Sequence, residues 1–177
     1  MTIETADLIL MPYPAKDLLA IIDGQDRPEG PLAVLAAEGL RRYNAIEHVS
    51  PVWLAKLREF ATAADPWVNT FAIMHRQDRL FAGGVGYTGP PDEQGIVEIA
   101  YGIEPAYQGR GYATQAAEAG TAYAFADERV RIVRAHTLPN PNASTRVLTK
   151  CGFTRIGEIV DPEDGPVWRW EHPKQSA

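Results

Sequence analysis

The stretch Gln108-Gly109-Arg110-Gly111-Tyr112-Ala113-Thr114 lies between an apolar run, residues 96–103, and a segment with helical periodicity over 113–127. The order is strand, glycine loop, helix. Without a Cβ at 109 and 111, backbone N–H groups can close on an anion at the positive end of the following helix. Such a turn suits a pyrophosphate, with Arg110 between the glycines as its natural charged partner; the plainer reading of Arg110 is a solvated loop side chain. A nucleotide-binding P-loop needs Lys and Ser/Thr directly after its last glycine, and Gly111 is followed by Tyr112 and Ala113. A dinucleotide fingerprint needs a third glycine and an acidic residue at the end of the next strand. Here Thr114 stands in the glycine position and the next strand ends in Ala135-His136-Thr137.

A third pattern, Arg/Gln-x-x-Gly-x-Gly/Ala, is met as Gln108-x-x-Gly111-x-Ala113. At this loop the chain resembles the GNAT acyltransferases, which bind acetyl-CoA through it. Two further stretches look like the RimJ/RimL-like branch: Asn142-Ala143-Ser144-Thr145-Arg146-Val147-Leu148-Thr149-Lys150-Cys151-Gly152-Phe153 and Glu98-Ile99-Ala100-Tyr101-Gly102-Ile103-Glu104-Pro105. The opening residues 6–12 and the closing residues 167–171 are similar to that branch too, so the likeness runs nearly end to end.

The resemblance implies an α/β (α+β) fold of the GNAT acyl-CoA N-acyltransferase type. Its sheet is mixed and mostly antiparallel, with a splayed parallel strand pair flanked by helices. Unpaired backbone groups between separating strands can be completed by the amides of a pantetheine arm. By resemblance Tyr101, Gly102 and Ile103 offer those main-chain bonds. The pyrophosphate then falls on the N–H groups of Gln108, Gly109, Arg110, Gly111, Tyr112, Ala113 and Thr114. Acetyl-CoA is the implied cosubstrate.

Acetyl transfer from a thioester to an amine needs a deprotonated amine, a stabilised oxyanion and a proton for the thiolate. A substrate ammonium that titrates near about 10 must first lose a proton. Glu98, on the strand beside the implied thioester, is the first candidate base, acting through a water; its structural alternative is an ion pair with an arginine. Glu47, His48, His75 and Glu158 are unranked substitutes. Many GNAT enzymes place a tyrosine acid where this chain has Leu148. In the RimJ/RimL-like branch a serine at the start of that helix is proposed instead, and Ser144 matches it. Ser144 can equally be an N-cap. The asparagine of many GNATs, three residues before the serine position, is Pro141 here, so Asn140 or Asn142 takes its place against the coenzyme, with Asn142 preferred. Cys151 reads as a small buried apolar group rather than a nucleophile. Direct transfer without an acyl-enzyme follows.

A chain of 177 residues with 45% hydrophobic content suits one domain. It is expected over residues 1–172, with 173–177 as a loose tail that would already begin near His172. No apolar run of about 18 residues is present, and the acidic N-terminal stretch does not read as a signal peptide; a cytoplasmic protein without membrane contact is expected. The lone Cys151 excludes a cysteine zinc cluster, and the four histidines show no ligand spacing, so no metal is expected. With 23 acidic against 17 basic residues the net charge of −6 disfavours nucleic acid. It suits a cationic acceptor only weakly, since mild acidity also serves solubility. A monomer or homodimer is compatible with this composition.

Around the loop, a strand over 8–11 ends at Pro12, and helices are expected over 15–22, from Pro31 through Leu32, Leu35, Ala36, Leu40 and Tyr43, and over 51–63. Strands over 68–75, 80–87 and 96–103 form an antiparallel meander, with a bulge near Gly83, Gly84 and Gly86. After the small-residue helix, a strand over 131–138 returns parallel to 96–103, a short helix ends at Gly152, and 153–159 with 166–171 make a final hairpin. The function so read is N-acetylation of a primary amine by acetyl-CoA, the acceptor being a protein N-terminus, perhaps of a ribosomal protein, or a small-molecule amine. The alternative is a non-catalytic acyl-CoA-binding or sensor module, suggested by the missing tyrosine at 148.

Overall fold

Runs of β-branched and aromatic residues with a period of two, cut by turn formers, set the strands. The computed structural model describes residues 2–12, 67, 70–162 and 164–175, with the isolated helical positions Lys16, Leu19, Leu54, Ala55, Arg58 and Glu59. Those positions fall within the helices expected over 15–22 and 51–63; the helix expected after Pro31 lies outside the described residues. The strands are β1 (Ile3–Glu4), β2 (Leu8–Pro12), β3 (Thr70–His75), β4 (Phe81–Tyr87), β5 (Ile96–Ile103), β6 (Ile132–Thr137), β7 (Thr154–Asp161) and β8 (Gly165–Pro173). They form one sheet in the order β1-β2-β3-β4-β5-β6-β8-β7. Helix α1 (Tyr112–Ala126) follows β5, and α2 (Ala143–Lys150) follows β6.

Every neighbouring pair is antiparallel except β5 and β6. The parallel pairing covers only Ile96↔Ile132, Val97↔Val133 and Glu98↔Arg134. Beyond it β5 stays with β4 up to Gly83↔Ile103, while β6 stays with β8 up to Thr137↔Trp168. The two strands therefore part immediately after Glu98. The fold is the expected mixed, mostly antiparallel sheet with a splayed parallel pair.

Helix α1 lies close to the sheet because its inward face is small: Ala116, Ala117, Gly120, Thr121 and Ala124 are buried. A Cβ at Gly120 would come within 2.8 Å of Ile99 Cδ1 and 3.0 Å of Val85 Cγ2. Ile99 and Val85 thus face α1, and by alternation Glu98 faces the other side of the sheet. Leu8, Leu10, Phe71, Ile73, Val85, Val97 and Leu148 are wholly buried. At about 25 cal/mol per Å² of apolar surface removed from water, such a core supplies the main drive to fold.

The expected bulge is present. Pairing jumps from Ile73↔Gly83 to Met74↔Phe81, leaving Ala82 as the extra residue beside Gly83. Gly83 has φ 150°, and a Cβ there would run into the Gly102 carbonyl oxygen. Two boundaries need correction. The two-residue β1 is too short to show a period, and the sequence reading omits it. The C-terminal stretch is ordered further than expected: β8 takes in His172 and Pro173, and Lys174 N–H donates to the Arg131 carbonyl at 2.7 Å. His172 also packs on Phe125 and Phe153, which holds the strand end down.

Candidate active site

The loop between β5 and α1 begins with a 3-10 turn, Pro105–Tyr107. Gly109 and Gly111 have φ 76° and 83°, and Gly111 is the N-cap of α1 in the left-handed conformation. A Cβ at either would meet nothing within 4 Å, so backbone conformation rather than packing demands glycine here. Two of the seven expected amides are used internally: Gln108 N–H donates to Pro105 O at 3.3 Å and Thr114 N–H to Gly111 O at 3.1 Å. The N–H groups of Gly109, Arg110, Gly111, Tyr112 and Ala113 have no acceptor among the described residues. Five free amides at a helix N-terminus form an anion cradle. Arg110 is exposed, its guanidinium 5.8 Å from the centre of the Tyr107 ring.

Side chains distant in sequence hold this loop. Tyr112 is buried, and its hydroxyl lies 2.9 Å from His75 Nε2. His75 Nδ1 lies 3.3 Å from Asp78 N–H and 3.1 Å from Asp78 Oδ2, so the Asp78 turn holds the ring from its other side. The Tyr107 hydroxyl donates to Asp78 Oδ2 at 3.1 Å. In the first turn of α1, Gln115 donates to Asp7 Oδ2 at 2.7 Å and accepts from the Thr5 hydroxyl at 2.8 Å. The sequence reading missed Asp78 and Gln115 and offered His75 only as a substitute base. Their partners stand as far as 110 residues away, beyond any local spacing signal.

Thr88 N–H donates to Glu98 O and Glu104 N–H to Ala82 O. By alternation Glu98, Ala100 and Gly102 turn their backbone groups to β4, and Ile99, Tyr101 and Ile103 turn theirs to the opening. Tyr101 and Ile103 thus face the gap as expected. Gly102 turns its main chain toward β4, opposite Gly84. The Ile103 carbonyl also accepts from Gln108 Nε2 at 2.9 Å, which ties the loop to the strand end.

Glu98 sits at the last paired position before the opening. Its partner is a histidine rather than an arginine: His136 Nδ1 lies 3.0 Å from Glu98 Oε1. Arg134, opposite Glu98, instead pairs with Glu171 at 2.6 Å. His136 is the main side chain at the opening that sequence reasoning did not assign. On the helix side of the sheet, Asn142 and not Ser144 caps α2. Asn142 Oδ1 accepts from Thr145 N–H at 3.1 Å, and Thr145 Oγ1 accepts from Asn142 N–H at 3.0 Å. With Asn142 Nδ2 bonded to Asn140 O, both ends of that side-chain amide are engaged within the turn and cap. Ser144, half-buried in the first turn, is released from the capping role. The Tyr101 hydroxyl donates to the Ser144 carbonyl at 3.5 Å. Burial pushes the Tyr101 phenol well above its usual range, Cys151 adds to this, and the hydrogen bond to Ser144 opposes it. Burial also raises the Cys151 thiol to about 11.

Of the substitute bases, His75 lies under the loop and Glu158 is exposed, accepting from Trp168 Nε1; Glu47 and His48 lie outside the described residues. A family model described as an acetyltransferase (GNAT) domain matches residues 22–154. The chain belongs to the GNAT acetyltransferase family. It is 29% identical over 89 residues to the "Uncharacterized N-acetyltransferase YjdG" of Bacillus subtilis (strain 168), a match covering 50% of this chain and 51% of the relative. The chain thus spans about half the length of that curated relative. In fold it resembles the ribosomal-protein-S5-alanine acetyltransferase of Vibrio fischeri, with a TM-score of 0.66 at 16% identity, covering 98% of this chain and 96% of that one. It also resembles a spermidine N-acetyltransferase chimera from Vibrio cholerae and hSSAT, with a TM-score of 0.64 at 17% identity, covering 95% of this chain and 96% of that one.

Within this GNAT chain, the position that often carries a tyrosine is Leu148, wholly buried in the core, so no acid is available there. Among the described residues no group of His, Cys, Asp and Glu is placed to hold a metal ion, and no helix is long and apolar enough to cross a membrane.

Proposed function

We propose that the protein is a cytoplasmic N-acetyltransferase that moves the acetyl group of acetyl-CoA directly to a primary amine. The observation that carries this reading is the parting of β5 and β6 immediately after Glu98, in line with five free amides at the start of α1. Pantetheine lies in the opening against the gap-facing backbone of Tyr101 and Ile103, and the pyrophosphate on the amides of 109–113 with Arg110 beside it. Glu98 takes a proton from the incoming ammonium. The amine nitrogen then forms its bond to the acetyl carbon as the carbon–sulfur bond breaks; the departing thiolate takes the Ser144 hydroxyl proton, and the surplus proton on the new amide nitrogen passes through solvent to restore it. A protein N-terminal amine is the first acceptor class, because the S5-alanine acetyltransferase shares the fold over nearly its whole length. A polyamine is the second, on the parallel likeness to the spermidine enzyme.

The test is release of free coenzyme A thiol from acetyl-CoA with N-terminal Ala and Ser peptides, spermidine, free amino acids and an aminoglycoside. Release with one class identifies the acceptor. Acetyl-CoA binding without release across the panel would favour the non-catalytic module.

A further inference from the structure

The bond between Glu98 and His136 spans the opening at its narrow end. Glu98 is the final residue of β5 paired to β6, and His136 lies two residues past the final paired residue of β6. Beyond Arg134, β6 pairs among the described residues only with β8, yet His136 reaches back across the gap to the carboxylate. Both side chains are on the sheet face away from α1, with side-chain exposures of 14% for His136 and 33% for Glu98. The second ring nitrogen, Nε2, is buried and has no hydrogen-bond partner among the described residues.

That asymmetry fixes the tautomer. A proton on Nε2 would be a buried donor without an acceptor, which is rarer and costlier than a buried acceptor lacking a donor. A proton on Nδ1 meets a carboxylate oxygen at 3.0 Å in a charge-assisted bond. Glu98 Oε1 is occupied by this bond, while Oε2 has no partner among the described residues.

We propose that His136 is a positioning residue for Glu98: its Nδ1–H holds the carboxylate at the narrow end of the opening and leaves Oε2 for the proton of the acceptor ammonium. The inference rests on the reading of the chain as an amine acetyltransferase with Glu98 as base. In the step itself the ammonium proton passes to Glu98 Oε2 and returns to solvent after acyl transfer. The Nδ1 proton stays on His136 throughout. The arrangement follows the general logic of a catalytic group oriented by a third residue.

The experiment compares His136→Asn, His136→Gln and His136→Leu in the full chain with the best acceptor amine. Asparagine sets an N–H near the place of Nδ1; glutamine sets its amide near Nε2. Expected are near-wild-type kcat for His136→Asn and a loss of about tenfold or more for His136→Gln and His136→Leu, within the range of a general base's contribution. KM for acetyl-CoA should be unchanged in all three. In a Glu98→Gln background, His136→Leu should cause no further loss. A purely structural role would instead lower stability in step with activity, add to the Glu98→Gln loss and show no advantage of Asn over Gln. Full activity of His136→Leu beside an active wild type would overturn the inference alone. A wild type that binds acetyl-CoA but acetylates no amine would overturn the parent reading and the inference with it.

Discussion

The Tyr112 hydroxyl and His75 Nε2 lie 2.9 Å apart, joining the first residue of α1 to the last residue of β3 beneath the anion cradle. Both residues are buried, and the ring is oriented from its other side by the Asp78 amide. Tyr112→Phe leaves a buried imidazole nitrogen unpaired, which costs about 1–3 kcal/mol. Urea unfolding should show that loss. Because the cradle amides hang on this anchor, KM for acetyl-CoA should rise severalfold while kcat changes little.

Gly111 distinguishes backbone strain from ligand repulsion. Its φ of 83° and the empty space beyond a Cβ predict that Gly111→Ala costs about 1–2 kcal/mol of left-handed strain, without a clash. Gly111→Glu adds a carboxylate among the free amides. Calorimetric titration should find acetyl-CoA binding weakened in the first variant and lost in the second.

Gly83 is the position least able to accept a side chain. A Cβ there runs into the Gly102 carbonyl oxygen and comes to 3.0 Å from Ile103 Cα, both backbone atoms of the strand that borders the opening. Gly83→Ala should destabilise by more than about 2 kcal/mol and should disturb coenzyme binding, since β5 must shift to make room. Thermal unfolding with and without acetyl-CoA measures both effects.

Cys151 should be slow toward thiolate-directed reagents. Burial, with a smaller contribution from Glu118, raises its thiol from 9.0 to about 11. The native state therefore favours the neutral thiol. That contribution to stability is complete below pH 9 and is lost as pH rises through about 11. Labelling of the folded protein at pH 8 should lag well behind that of the urea-unfolded chain, and the difference should shrink toward pH 11.

Elements with strong local signals were legible. β5 occupies the expected residues because apolar alternation runs unbroken from Ile96 to Ile103, and α1 begins one residue earlier than its periodicity suggests. The loop glycines could be read because positive φ leaves few other residue types. Register parity could not. Whether Gly102 faces β4 or the opening depends on which β5 residues bond to Thr88 and Ala82, a tertiary fact. Whether Ser144 serves as the N-cap could not be read from residue type alone; Thr145 decides it by closing a reciprocal pair with Asn142. Glu98 was identified but its partner was not, since His136 is 38 residues away and reaches Glu98 only because the strands part where they do.

The central claim is that the opening after Glu98 and the amides of 109–113 receive the coenzyme. Backbone amide NMR of the protein titrated with acetyl-CoA tests it most directly. The account predicts the largest shifts, with slowed hydrogen exchange, at Gly109, Arg110, Gly111, Tyr112 and Ala113, and further shifts at Tyr101 and Ile103. Saturating acetyl-CoA that leaves these amides unmoved, or moves only amides elsewhere in the sheet, would contradict it.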